Sequence, residues 1–249
     1  MFSKKVLFSK SNLAVMIAVV FLIVSISLNF SKVNAATSDD SPTFSRITEK
    51  EAEQIGINQW TQNFTDSAES ELLSYSNELK LDYEKQHIMK AEKNGETAIF
   101  VYYPIIGGES QKDSQYIMVF DNNGKNLDNI LMLGLKNKNG DIQSFAKSGG
   151  KEVLNAVIKS DGKVISGTSI HSNGEIQDLS KPTMQVFGFW SCLNDCLASQ
   201  GVAAWAITAL GIICAAGCAA TAGLGCYVCL AGADIAAGSV VGYCWGQCK

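Results

Sequence analysis

The chain has 249 residues, 47% of them hydrophobic and 18% charged, with a formal net charge of −4. An acidic balance with no basic or aromatic-basic stretch excludes a general nucleic-acid binder. Two histidines in the whole chain leave little room for His-dependent metal or nucleophile chemistry. The average hides three materials. Residues 1–35 carry +4, residues 36–185 carry −7, and residues 186–249 carry −1 together with all eight cysteines.

The first material reads as an export signal. Lys4, Lys5 and Lys10 precede an apolar run from Leu13 to Leu28, interrupted only by Ser25 and Ser27. Small residues at Val33 and Ala35 suit a signal peptidase groove, so cleavage is expected between Ala35 and Ala36. The competing reading is a retained membrane helix, since the uncharged run from Ser11 to Ser31 is long enough to span a bilayer. Export places the rest of the chain where clustered, even-numbered cysteines form disulfides.

Residues 36–45 read as a polar, Pro-containing flexible leader, and residues 46–182 as one α+β domain. Thr48 and Glu51 fit a capping box, in which hydroxyl and carboxylate satisfy free amide hydrogens reciprocally. The Glu-, Lys-, Leu- and Ser-rich stretch from Asp66 to about Lys93 has no Gly or Pro, which predicts one or two amphipathic helices. After Asn94-Gly95 the pattern changes to β-formers. Strands are expected over Thr97–Ile106, Gln115–Asp121, Asn129–Lys136, Ile142–Lys147, Glu152–Lys159 and Val164–Ile170. Between them sit Asn123-Gly124, Asn139-Gly140, Asp161-Gly162 and Asn173-Gly174, each a pair that supplies the positive φ angles of a tight hairpin. The expectation is an antiparallel meander packed on helices.

This domain shows little chemistry. His87 and His171 read as surface residues. The carboxylates Glu49, Glu51, Glu53, Glu69, Glu71 and Glu78 describe solvated helix faces, and nothing selects one acid/base pair. No phosphate loop, nucleophile elbow or zinc-protease motif is present. Asp121–Asp128 is too short for a calcium loop and lacks the terminal Glu, so it reads as a hairpin. Neither enzymatic activity nor a cofactor is expected.

The third material, residues 183–249, carries the information. Residues 186–249 include 14 Ala and 10 Gly, and no charge occurs from Cys196 to Ala233. The cysteines form four pairs: Cys192/Cys196, Cys214/Cys218, Cys226/Cys229 and Cys244/Cys248. Spacings of three and four put each pair on one helix face, an arrangement for stapling helices side by side. Helices are expected near Trp190–Gln200, Val202–Ala216, Cys218–Leu230 and Ala233–Gln247, with breaks at Gly201, Gly217 and Gly232. A nested hairpin would pair Cys226 with Cys248 and Cys229 with Cys244. A second would pair Cys192 with Cys218 and Cys196 with Cys214, among the 105 connectivities that eight cysteines allow. The predicted architecture is thus an α+β domain followed by a small all-α, disulfide-rich helical domain. Zinc ligation by the pairs, a transmembrane hairpin and a redox role for Cys226-Tyr-Val-Cys229 are weaker readings, given export, the number of cysteines and the missing strand–helix context.

The stretches Phe189-Trp190-Ser-Cys192-Leu-Asn-Asp-Cys196-Leu, Leu210-Gly-Ile-Ile-Cys214-Ala-Ala-Gly-Cys218, Gly225-Cys226-Tyr-Val-Cys229-Leu and Cys244-Trp-Gly-Gln-Cys248 resemble the halocin C-eight-like bacteriocin family over about the last 60 residues. The resemblance implies an exported precursor whose carboxy-terminal cysteine-rich peptide is released as a toxin. It also implies that the preceding part can act as an immunity protein. On that expectation the partners are signal peptidase, a processing protease, and a target-cell membrane or membrane receptor. An intramolecular toxin–propeptide contact and a secreted location follow too. Trp190, Trp205, Tyr243 and Trp245 are the side chains expected at a membrane surface. At net −1 the peptide lacks the charge that draws cationic peptides to anionic lipid, so a receptor or hydrophobic insertion is favoured over electrostatic adsorption. The alternative is a cell-surface interaction protein whose cysteine-rich tail is a membrane-associated anchor, with no toxin released. A secreted hydrolase is a third reading, without an identifiable acid pair.

Overall fold

A computed structural model describes residues 43–93, 95–171, 174–180 and 189–218, together with Cys244, Gln247 and Cys248. The export segment, the Ala35/Ala36 cleavage site, most of the leader, Cys226, Cys229, Tyr243 and Trp245 lie outside the described residues. So do the side chains of Trp190, Cys214 and Cys218, although their backbones are helical.

The first element is a short strand, β1 (Thr43–Arg46), followed by two helices, α1 (Glu49–Ile55) and α2 (Ile57–Leu73). The capping box forms as the sequence predicts. The Thr48 amide donates to Glu51 Oε2 at 2.8 Å, and the Glu51 amide donates to Thr48 Oγ1 at 3.3 Å. Gly56, at φ 82°, ends α1 and lets α2 start at once. The described helix ends at Leu73, and the rest of the predicted helical stretch is not helical. It contains β2 (Lys80–Leu81), a single 3-10 turn (Tyr83–Lys85) and β3 (His87–Lys93). Local composition favoured helix, but β3 pairs along its whole length with the next strand and buries Ile88 on one side and Met89 and Ala91 on the other. Tertiary pairing outweighs a propensity difference of less than about 1 kcal/mol per residue.

The remaining strands are β4 (Glu96–Ile106), β5 (Gln115–Asp121), β6 (Asn126–Lys136), β7 (Ile142–Ser148), β8 (Lys151–Ile158), β9 (Val164–Ile170) and β10 (Ile176–Asp178). They form one antiparallel sheet in the order β1-β3-β4-β5-β6-β7-β8-β9-β10, with β2 paired to β4. Glycine takes a positive φ at each expected turn: Gly124 79°, Gly140 86°, Gly162 88° and Gly174 82°. The preceding Asn123, Asn139 and Asp161 do not, so these are not two-residue mirror-image turns. Each turn instead closes with the same two backbone bonds, such as Gly124 N–H to Asp121 O and Asp121 N–H to Lys125 O. In the first two turns a side chain one strand end earlier does the work. Asp121 Oδ1 accepts from the Asn123 and Lys125 amides, and Asn137 Oδ1 from the Asn139 and Asp141 amides.

The fold class departs from the sequence expectation. Among the described residues the protein is β-rich, a ten-stranded sheet with four α-helices, not an α+β domain joined to a separate all-α domain. The tail helices α3 (Phe189–Ser199) and α4 (Ala204–Cys218) share a core with the sheet. Pro42–Lys249 form one compact unit. An Ala- and Gly-rich tail buries too little area in itself to make a core, so it takes the face of the sheet as the other half.

The sheet has two working faces. On one, α1 and α2 cover Ile99, Val101, Tyr103, Met118 and Phe120. Trp60 of α2 lies 5.8 Å from Phe120 between ring centroids. Lys147 of β7 reaches across to Glu71 of α2 at 2.9 Å. On the other face, α3 and α4 pack over Met132, Ala146, Leu154, Ala156 and Ile158.

Candidate functional site

The surface on which the tail docks is built from two turns and one glycine in mid-strand. The loop between β4 and β5 is pinned to β6 by the Gln111 amide donating to Gly134 O at 2.8 Å. It then turns through Asp113, whose φ of 71° is the single positive value outside glycine among the described residues. Asp is one of the few side chains that tolerate this conformation, because its short polar group bonds locally. Here it bonds across the interface: Asp113 Oδ2 accepts the Ala203 amide at 2.7 Å, at the residue just before α4. Lys112 Nζ donates to Gly201 O at 2.7 Å, and the Trp205 indole N–H donates to Lys112 O at 3.1 Å. The loop thus holds the bend between α3 and α4 with three polar contacts.

A second clasp comes from the β8–β9 turn, where Thr208 Oγ1 donates to Gly162 O at 2.8 Å. A Cβ on Gly162 would stand 2.9 Å from that hydroxyl. Between the clasps the contact is apolar. Trp205 is 2% exposed, and Leu193, Leu197, Val202, Ala206 and Leu210 are buried beside it. Trp205 packs against the bare backbone of Gly134: a Cβ there would meet the indole at 2.8 Å. At Asp113, burial pushes the carboxyl above its ordinary pKa, opposed by the Ala203 amide and the Lys112 ammonium.

Among the described residues two disulfides close the tail on itself. Cys192 bonds Cys248 and Cys196 bonds Cys244, with Cα–Cα separations of 5.6 and 5.5 Å. Neither the Cys192–Cys218 and Cys196–Cys214 hairpin nor the Cys226–Cys248 and Cys229–Cys244 hairpin is formed. The first and last pairs join each other in antiparallel register, so the beginning and end of the tail lie side by side. Cys244 is fully buried in the cluster that contains Trp205. The same-face reading of the i,i+4 pairs carries over to these two pairs, while the partner choice, a matter of tertiary placement, does not.

Of the four aromatic residues expected at a membrane surface, Trp205 alone has a described side chain, and in the intact chain it faces the sheet. Its neighbours Ile207 and Leu210 are buried too. Sequence reasoning missed Lys112, Asp113 and Gly134, and marked Gly162 only as a hairpin turn. A Gly within a strand and a Lys-Asp pair in a loop carry no signal until the partner helix is in place. Among the described residues, no group of His, Cys, Asp and Glu is placed to hold a metal ion, and no helix is long and apolar enough to cross a membrane. No protein family, curated protein or solved structure matches the chain.

Proposed function

We propose that this chain is the precursor of a secreted antimicrobial peptide. In this reading signal peptidase cuts after Ala35, a second protease cuts near residues 183–190, and the disulfide-closed tail is the toxin. The meander domain is its propeptide and masks it until release. The observation that supports this reading is the burial of Trp205 and its apolar neighbours against the sheet. The groups suited to enter lipid or grip a membrane receptor are occupied in the intact chain and become available on separation. Disulfides are the cross-links of an oxidising compartment, which agrees with export. The halocin-like cysteine pattern points to the same layout, with killing of related cells as the activity and protection of the producer as a second role for residues 36–182.

A membrane anchor fits this geometry less well, because an anchor needs its apolar side open in the intact protein. The test is the intact mass of the secreted material, with and without reduction, followed by a killing assay on related strains. A fragment near 6 kDa, about 60 residues, that carries disulfides and inhibits growth is the expected result. A single unclipped species held in the cell envelope would overturn the proposal.

A further inference from the structure

The two bridges of the tail form a ladder with unequal rungs. Cys192 and Cys196 stand one turn apart on α3. The Cys248 amide donates to Cys244 O at 3.2 Å, which places the second pair one turn apart as well. The rungs Cys192–Cys248 and Cys196–Cys244 therefore lie one above the other. The inner rung, Cys196–Cys244, is at the end of α3 that the β4–β5 loop clasps through Gly201 and Ala203. Its Cys244 is 0% exposed, in one cluster with Leu193, Leu197, Trp205 and Met132. The outer rung is one turn further from the clasp, with Cys192 exposed and Cys248 half-buried. Burial separates the two rungs chemically. A disulfide opens when a thiolate attacks one sulfur and expels the other as a thiolate. At the inner rung both routes are poor. Attack at Cys244 is blocked, because that residue has no accessible surface. Attack at half-buried Cys196 expels Cys244 as an anion into an apolar cluster, where an unpaired charge is costly. At the outer rung, attack at exposed Cys192 expels Cys248, a residue that reaches water.

We infer that Cys192–Cys248 is a site of thiol–disulfide exchange with low-molecular-weight thiols, and that docking on the sheet keeps Cys196–Cys244 closed while it reacts. In the first step the thiolate of the incoming molecule bonds to Cys192 Sγ. The Cys192–Cys248 bond breaks, and Cys248 leaves with the electron pair and takes up a proton. The product is a mixed disulfide on Cys192 and a free thiol on Cys248. A second molecule of the thiol then attacks the sulfur of the first. It departs with it as the oxidised dimer, and Cys192 is left as a thiol. The balance is two thiols oxidised and one bridge reduced. The outer rung thus opens without undocking the tail, whose inner rung stays in the shared core. The inner rung becomes reducible when α3 leaves the sheet. Exposed bridges are the labile and regulatory ones, and buried bridges the structural ones. The inference rests on burial and connectivity, so it holds whether or not the tail is a toxin.

The test incubates the full oxidised chain with excess reduced glutathione at neutral pH, traps free thiols with N-ethylmaleimide at intervals, and maps the peptides without reduction. The expected first product carries glutathione on Cys192 and maleimide on Cys248, with Cys196 still linked to Cys244. In native buffer the inner bridge should open at least about tenfold more slowly than the outer one, as a reaction that waits for local undocking does. In guanidinium chloride the two rates should converge, because the unfolded chain no longer holds Cys244 in a core. Four results would each overturn the inference: glutathione appearing first on Cys196, Cys244 or Cys248; equal rates in native buffer; neither bridge opening in the native chain; or a rate difference that persists unchanged in denaturant.

Discussion

Trp205 is the residue through which the docking of the tail is best measured. Its side chain is 2% exposed and makes one hydrogen bond, from the indole to Lys112 O at 3.1 Å. Burying an indole removes about 150–250 Å² from water, which at about 25 cal/mol/Å² is roughly 4–6 kcal/mol. The hydrogen bond adds about 1 kcal/mol. Partial collapse of the cavity offsets part of this sum, so Trp205→Ala is expected to cost about 3–5 kcal/mol. A domain of this kind is stable by only about 5–15 kcal/mol. The variant should therefore show both a lower urea midpoint and protease cleavage near the α3–α4 bend under conditions where the parent resists. The geometry supplies a second, sharper readout. Gly134→Ala adds a Cβ 2.8 Å from the indole and should cost about 1–3 kcal/mol by overpacking. In the Trp205→Ala background that cost should largely vanish, a coupling of about 0.5–3 kcal/mol in the double-mutant cycle. Strictly additive energies, or a Trp205→Ala loss under about 1 kcal/mol, would show that the helices do not rest on β6 in solution.

Other outcomes follow from the same interface. Asp113 has a folded-state pKa raised by burial, so its charged form costs the folded state at neutral pH, and that cost is relieved as pH falls through the folded pKa toward the unfolded value. Asp113→Asn keeps an acceptor for the Ala203 amide. It should equal or exceed the parent in stability at pH 7 and lose that advantage on acidification; thermal melts at pH 7 and below check this, and an Asn variant weaker at pH 7 refutes it. Ser144, fully buried beneath the tail, has a hydroxyl with no hydrogen-bond partner among the described residues. Ser144→Ala should be neutral or stabilising by up to about 1 kcal/mol, read from the urea midpoint. Non-reducing peptide mapping should recover Cys192 linked to Cys248 and Cys196 linked to Cys244, and removing the second bridge as a Cys196→Ser, Cys244→Ser pair should cost about 2–4 kcal/mol. Because the bridges join the tail only to itself, cutting the chain within 181–188 should leave the two pieces co-eluting in gel filtration until denaturant separates them. Immediate separation in buffer would mean that the docking is weak.

The order of elements from β4 to β9 is legible in the sequence because it rests on local chemistry. Asn-Gly and Asp-Gly pairs mark where a positive φ is affordable, and β-formers fill the intervals. The runs Ile99–Tyr103 and Tyr116–Phe120 carry a further signal: continuous apolar strands, without alternation, belong to a sheet covered on both faces. The capping box at Thr48 is legible for the same local reason. The stretch 80–93 departs from its local signal because its helix-favouring composition is a weak preference, while the seven-residue pairing of β3 with β4 is a long-range fact that composition does not record.

The tail divides in the same way. Its sequence determined that cysteines at i and i+4 present themselves on one helix face, and that so much Ala and Gly needs cross-links or a second surface to stay folded. Which cysteines meet was decided by where α3 and the chain terminus come to rest. Whether Trp205 faces water, lipid or protein was decided by the bare backbone of Gly134 and by the Lys112–Asp113 turn. These lie 71 to 93 positions away along the chain, and only folding the sheet brings them under the indole. A sequence fixes propensities through neighbours within a turn or two, whereas the value of a buried side chain depends on the surface that another part of the chain presents to it.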